Sequence, residues 1–255
     1  MLGPAVLGVA FLVLPLVGLI LRTPWGSLGS ILATADVSAA LRLSLVTATT
    51  ATAISFVLGI PLAWLLARSA LPGIGVLRAL VTLPLVLPPV VGGVALLLAF
   101  GRVGLVGQYL YRWFGITLPF STAGVVVAET FVAMPFLVVT VEGALRSANQ
   151  GYDEAAATLG ATRITVFRRV TLPLIAPSLL AGGVLCWARA VGEFGATIAF
   201  AGNFPGRTQT MPLAVYLALE SDPDAAIALS MVLLVVSVAV LVALRDRWLH
   251  SSPFR

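Results

Sequence analysis

Lysine is absent from this 255-residue chain, histidine and cysteine occur once each, and charged residues make up only 10% of it. Each shortage excludes something. A lone cysteine, Cys186, rules out an internal disulfide, and inside an apolar stretch it reads as a small filler. The one histidine, His250, sits in a polar tail, so no H-E-x-x-H metal site exists, and without lysine there is no serine–lysine pair. The first five apolar stretches contain no aspartate, and Asp222 and Asp224 lie near the uncertain start of the last one. An intramembrane enzyme would need one of these constellations. No G-x-x-x-x-G-K-[ST] phosphate loop occurs, so ATP chemistry must reside in another chain. Soluble domains carry about 25% charge, and at 10% this chain has too little polar surface to cover itself in water.

What is abundant is apolar sequence. Hydrophobic residues are 60% of the chain and the mean hydropathy is +1.08. They fall into six long stretches at approximately 4–21, 40–67, 77–100, 121–145, 174–201 and 212–244, the last with an uncertain start. A helical crossing needs roughly 20 residues to cover about 30 Å, so the expected fold is an all-α membrane protein with six transmembrane helices in one domain over residues 1–255. The first stretch lacks the basic n-region of a signal peptide and exceeds its usual length, which makes it an uncleaved span.

The fifteen cations are all arginine, placed singly or in pairs at the ends of apolar stretches. Bilayers sort positive charge in this way, whereas a nucleic-acid binder gathers it on one face; no nucleic-acid partner is expected. With the amino terminus inside, the inner segments hold Arg68, Arg78, Arg146, Arg163, Arg168, Arg169, Arg245, Arg247 and Arg255. The outer ones hold Arg22, Arg42, Arg102, Arg112 and Arg207. The bias places both termini in the cytoplasm. Tyr109, Tyr111, Trp113 and Phe114 then form an aromatic belt at the outer interface.

Proline lies inside the spans, at Pro61, Pro84, Pro88, Pro89 and Pro135. Each removes a backbone hydrogen bond and bends its helix, and three within six residues of one span predict a broken helix lining a pathway. The largest inner segment, 146–172, predicts two short helices. Asp153 suits the first N-cap and Gly160 a left-handed C′ position; Thr162 starts the second, and Pro173 closes it. Ala155, Ala156 and Leu159 share one face of the first, and Ile164, Phe167 and Val170 one face of the second. Helices this short are marginal alone and need a docking surface, either the membrane face of this protein or a cytoplasmic partner.

Glu154-Ala155-Ala156, then Gly160, then Val170-Thr171-Leu172-Pro173 resembles the coupling signature of ABC importer permeases. That signature reads E-A-A, three residues, G, nine residues, I-x-L-P; only Val170 departs from it. A second resemblance is to the oxyanion branch of that family (molybdate, sulfate and tungstate permeases, molybdate most of all). Its carriers are Pro84-Leu85-Val86-Leu87-Pro88-Pro89, residues 188–197 (ARAVGEFGAT) and residues 202–210 (GNFPGRTQT). The resemblance covers most of the chain from residue 40 onward. It implies a type I importer core that moves a tetrahedral oxyanion by alternating access. The chain would bind no cofactor of its own, with ATP and Mg on the partner subunits. Those partners are a second copy of the chain, two cytoplasmic ATP-binding subunits and an extracytoplasmic oxyanion-binding protein, in the cytoplasmic membrane of a prokaryote. Glu154, Ala155, Ala156, Leu159, Gly160, Ile164 and Phe167 would meet the ATPase, and Asn203, Arg207 and Thr208 would face the binding protein.

Charges inside a span are costly and face a bundle interior or a wet cavity. Arg189 and Glu193, four apart, share a helix face, and Glu129 comes from another span at similar depth. With Pro88 and Pro89 they are the candidate pathway residues. Two readings stay open: a polar feature beside an anion path, or an ion pair that fixes packing. An ion-coupled secondary transporter using Glu129 and Glu193 is the rival class, but it has no use for a coupling segment.

Overall fold

The computed structural model describes residues 2–69, 71–149 and 151–249, and leaves out the side-chain surroundings of Asp153, Glu154, Ala157, Leu241 and residues 243–249. The helices are α1 (Leu2–Arg22), α2 (Leu28–Leu32), α3 (Ala35–Arg68), α4 (Ile74–Val86), α5 (Pro89–Phe100), α6 (Gly107–Phe114) and α7 (Thr122–Ser147). They continue with α8 (Gly151–Thr158), α9 (Arg163–Val166), α10 (Leu172–Val191), α11 (Gly195–Ala201), α12 (Met211–Ser221) and α13 (Pro223–Leu249). Five helices are long and apolar enough to cross a membrane, and the α4–α5 pair makes six if counted as one bent span.

At the centre is α7, packed between α3 and α10. It is the most buried of the crossing helices, and Glu129 and Glu142 are among its buried residues. Lipid tails are as apolar as leucine, so membrane helices associate through close packing rather than water expulsion. Small residues make that packing here. A Cβ on Gly59 of α3 would stand 3.2 Å from Val138 of α7, and one on Gly183 of α10 would stand 2.4 Å from the Phe56 ring of α3. Ala48, Ala51, Ala133, Leu137, Val141 and Cys186 fill the same core. A second core joins α5, α7 and α11 through Leu96, Val132 and Phe200.

The expected third span, 77–100, is not one straight helix. It divides at Leu87–Pro88 into α4 and α5, bent by 120°, and neither half alone covers a bilayer at 1.5 Å per residue. Leu87 and Pro88 have extended ψ angles of 131° and 128°, because a residue before proline is driven out of the helical region. The nearly matching heptapeptide Thr171–Pro177 lacks a second proline after its last one, and α10 runs straight through it. The elbow is held by contact: a Cβ on Gly93 would fall 2.5 Å from Ala199 Cβ, and one on Gly195 would fall 2.8 Å from Pro89. Toward the end of the chain, the expected 212–244 span begins at Pro223, and α12 is a separate short helix before it.

Candidate functional site

Two polar assemblies stand out against the apolar bundle. Toward one end of the bundle, Arg189 on the last turn of α10 pairs with Glu193 at 2.6 Å. The other Glu193 oxygen, Oε1, accepts the Ala196 backbone N–H at 2.7 Å, so the carboxylate also caps α11 where the chain breaks at 192–194. Glu193 is buried, while the Arg189 side chain is 27% exposed. Glu129, also buried, meets Thr47 Oγ1 of α3 at 2.9 Å. Its second oxygen has no hydrogen-bond partner among the described residues, and Glu193 lies within electrostatic reach. Glu129 thus lies near Glu193, and among the described residues of this group the ion pair is Arg189–Glu193. Pro88 and Pro89 form the α4–α5 elbow and are exposed, and Pro89 packs against Gly195 of α11.

At the opposite end lies a cluster that sequence reasoning missed. Glu142 of α7 is buried and receives Arg78 Nε of α4 at 2.8 Å and Arg146 Nε of its own helix at 2.9 Å. Both guanidinium groups also donate to Leu66 O at 3.2 and 3.0 Å. Leu66 lies in the last turn of α3, where carbonyls lack intrahelical partners and positive charge is favoured. One carboxylate and two arginines thus tie together three helix ends. The i,i+4 spacing of Glu142 and Arg146 was the available signal.

In the segment 146–172 the left-handed turn is as expected: Gly160 has φ +84° and Ala161 N donates to Ala156 O at 3.1 Å, a Schellman-type stop. Two expectations need correction. α8 starts at Gly151, with Asn149 Oδ1 accepting the Gly151 N–H, so Asp153 lies inside the helix rather than at its cap. Pro173 does not close a second short helix: Arg163–Val191 is continuous, because a wide π turn at Phe167–Thr171 precedes Pro173 and relieves the clash its ring would make four residues back. Thr162 does cap its start, accepting from Thr165 N. Ala155, Leu159 and Ile164 are exposed and Ala156 half-buried, but Phe167 turns inward, its ring edge-on to Trp64 of α3 at 5.3 Å. The Glu154 side chain lies outside the described residues. In the loop between α11 and α12 Arg207 is exposed and Asn203 half-buried. Thr208 is buried instead of facing outward, because its hydroxyl accepts the Phe204 N–H and closes the turn.

A polytopic bundle with one broken span, buried ion-paired carboxylates toward both ends and an exposed short helix ending in a glycine turn is the membrane-embedded part of a transporter. The chain belongs to the family of binding-protein-dependent transport system inner membrane components, which it matches over residues 56–251. It is a multi-pass protein of the cytoplasmic membrane, and family membership implies transport rather than catalysis by this chain. It is 50% identical to the molybdenum transport system permease protein ModB of Mycobacterium tuberculosis over 96% of this chain and 92% of that one. With ModB of Escherichia coli it shares 42% over 82% and 92%, and with the sulfate transport system permease protein CysT of Salmonella typhimurium 38% over 94% and 88%. Its fold is that of a solved alginate ABC transporter bound to a periplasmic protein (TM-score 0.76, 19% identity, covering 96% of this chain and 91% of that one). The methionine transporter MetNI is similar at a TM-score of 0.63 and 20% identity, over 83% and 94%.

Proposed function

We propose that this chain is the transmembrane subunit of an ATP-driven molybdate importer. The supporting observation is the ordering of its relatives: 50% identity with a molybdenum permease against 38% with a sulfate permease, each over more than nine-tenths of the chain. Two copies, two cytoplasmic ATPases and an extracytoplasmic binding protein make the working assembly, since one six-span chain lacks a second half and a twofold dimer supplies it. The segment of α8 and the turn after it, which holds Glu154 and the exposed Ala155, Leu159 and Gly160, docks on the ATPase. ATP binding and release shift the pair between inward-open and outward-open states. Pro88, Pro89 and Arg189 line the path, where a partly exposed guanidinium offers positive potential to a passing dianion. Arg207 and Asn203 meet the binding protein.

Sulfate import is the second reading, supported by the CysT likeness. The deciding experiment is uptake of labelled molybdate by cells with and without this chain, in competition with tungstate and sulfate. Uptake should need the chain and be suppressed by tungstate far more than by sulfate. Equal suppression by sulfate at equal concentration would move the assignment to the sulfate branch.

A further inference from the structure

Between α3 and the helix that begins at Arg163 runs a groove of about 670 Å³ that the transport reading does not use. Phe56, Ile60 and Trp64 form one wall, and Phe167 and Leu172 the other. Arg163 and Arg168 stand at its mouth, at the end of the bundle where α3 finishes and α8 lies. Among the described residues neither arginine has an ion-pair partner, and no carboxylate is among the groove's described lining residues. A third cation, Arg68, sits 5.9 Å over the Trp64 ring at the same end.

The shape is apolar along its length and cationic at one end. A dianion in transit gains nothing from phenylalanine and isoleucine walls. A water-filled crevice would leave those walls hydrated, at a cost proportional to their area. In a bilayer the abundant molecule with an apolar body and an anionic tip is an acidic phospholipid. We infer that this groove is a site for one anionic phospholipid, an acyl chain lying against Ile60, Trp64 and Phe167 and the phosphate between Arg163 and Arg168. Guanidinium groups suit phosphate oxygens through their paired donors, and each arginine near an anionic headgroup favours it roughly five-fold. The π turn supports the geometry: Arg163 and Arg168 lie on either side of its start, on the one continuous helix that also carries Phe167 and Leu172. The inference rests on membrane embedding and not on which anion is transported, so it survives or fails separately from the proposed function.

The test uses the permease with its ATPase in lipid nanodiscs, with Trp25, Trp113, Trp187 and Trp248 replaced by Phe so that Trp64 reports alone within the membrane subunit. Phosphatidylglycerol with brominated acyl chains should quench Trp64 several-fold more than brominated phosphatidylcholine at the same mole fraction. That excess should vanish in Arg163→Gln/Arg168→Gln and persist in Arg163→Lys/Arg168→Lys. In parallel, lipid retained by the unsubstituted complex through mild detergent is measured by mass spectrometry, where phosphatidylglycerol should be enriched and the Gln pair should remove the enrichment. Equal quenching by the two lipids, an excess unchanged in the Gln pair, or a Trp64 that neither lipid reaches because protein covers the groove would each overturn the site.

Discussion

Glu142 shows what one buried carboxylate does in a protein with so few charges. It takes a hydrogen bond from each of two guanidinium groups that also hold Leu66 O, and charge-assisted bonds are stronger than neutral ones. Glu142→Gln should lower stability by about 2 kcal/mol, seen as a drop of several degrees in the thermal unfolding midpoint of the purified protein. Thr50→Ala removes only an exposed hydroxyl that bonds back to Val46 O and should stay within about 0.5 kcal/mol. Arg189 and Glu193 pose a sharper question, because the pair both fixes packing and lies beside the proposed path. Losing one partner of a buried pair costs up to about 3 kcal/mol, less here because Arg189 is 27% exposed. Glu193→Gln keeps an acceptor for Ala196 N, so a cycle of Arg189→Met, Glu193→Gln and the double variant separates the roles. Membrane abundance should fall in each single variant and recover in the double, while oxyanion uptake stays low. Recovery of both would reduce the pair to a packing device.

At the scale of elements, the chain uses proline and glycine in opposite ways. Pro88 before Pro89 ends α4 and bends the third span, while Pro177 is absorbed inside α10. Gly93 and Gly195 then let the two sides of the elbow touch. Gly160 differs, with open space around it and only its φ of +84° to justify it. A β-branched residue there is strained by its backbone alone. Gly160→Val should therefore insert normally, with unchanged membrane abundance, yet fail to retain the ATPase on copurification and fail to support uptake. Normal copurification and transport would count against α8 as the coupling element. The element boundaries were partly legible beforehand. The Gly160 turn, the Thr162 cap and a break among Pro84, Pro88 and Pro89 follow from single-residue stereochemistry. The continuity of Arg163–Val191 through Pro173 does not, since it depends on a π turn that no residue type signals.

For the whole molecule, we propose from the arginine bias that both termini and α8 lie on the cytoplasmic side. In a Cys186→Ala background, a single cysteine at Ser147 should resist a membrane-impermeant thiol reagent in intact cells, and one at Thr117 should react. Labelling at Ser147 would invert the assignment. The outermost helix adds a second whole-molecule property. α1 buries no residue against the rest of the chain, and among the described residues its main contact is with α13.

Lipid as the solvent, helices as the fold, the approximate positions of the crossings and the coupling signature were all determined by the sequence itself. Each depends on composition or on residues near one another along the chain: apolar length sets a crossing, and a glycine or a proline acts on its own turn. Tertiary structure alone decided the rest. Glu142 and Arg146 are neighbours on a helix, but Arg78 and Leu66 reach them only because α3 and α4 end beside α7. The family resemblance implies that Phe167 meets the ATPase, yet it packs on Trp64, which lies more than a hundred positions earlier. Thr208 looked like a surface residue and instead closes its own loop. In a bilayer nearly every face of a helix is apolar, so hydrophobic periodicity no longer tells inside from outside. Which side of each helix meets protein and which meets lipid is settled by close contacts between small residues far apart in the chain.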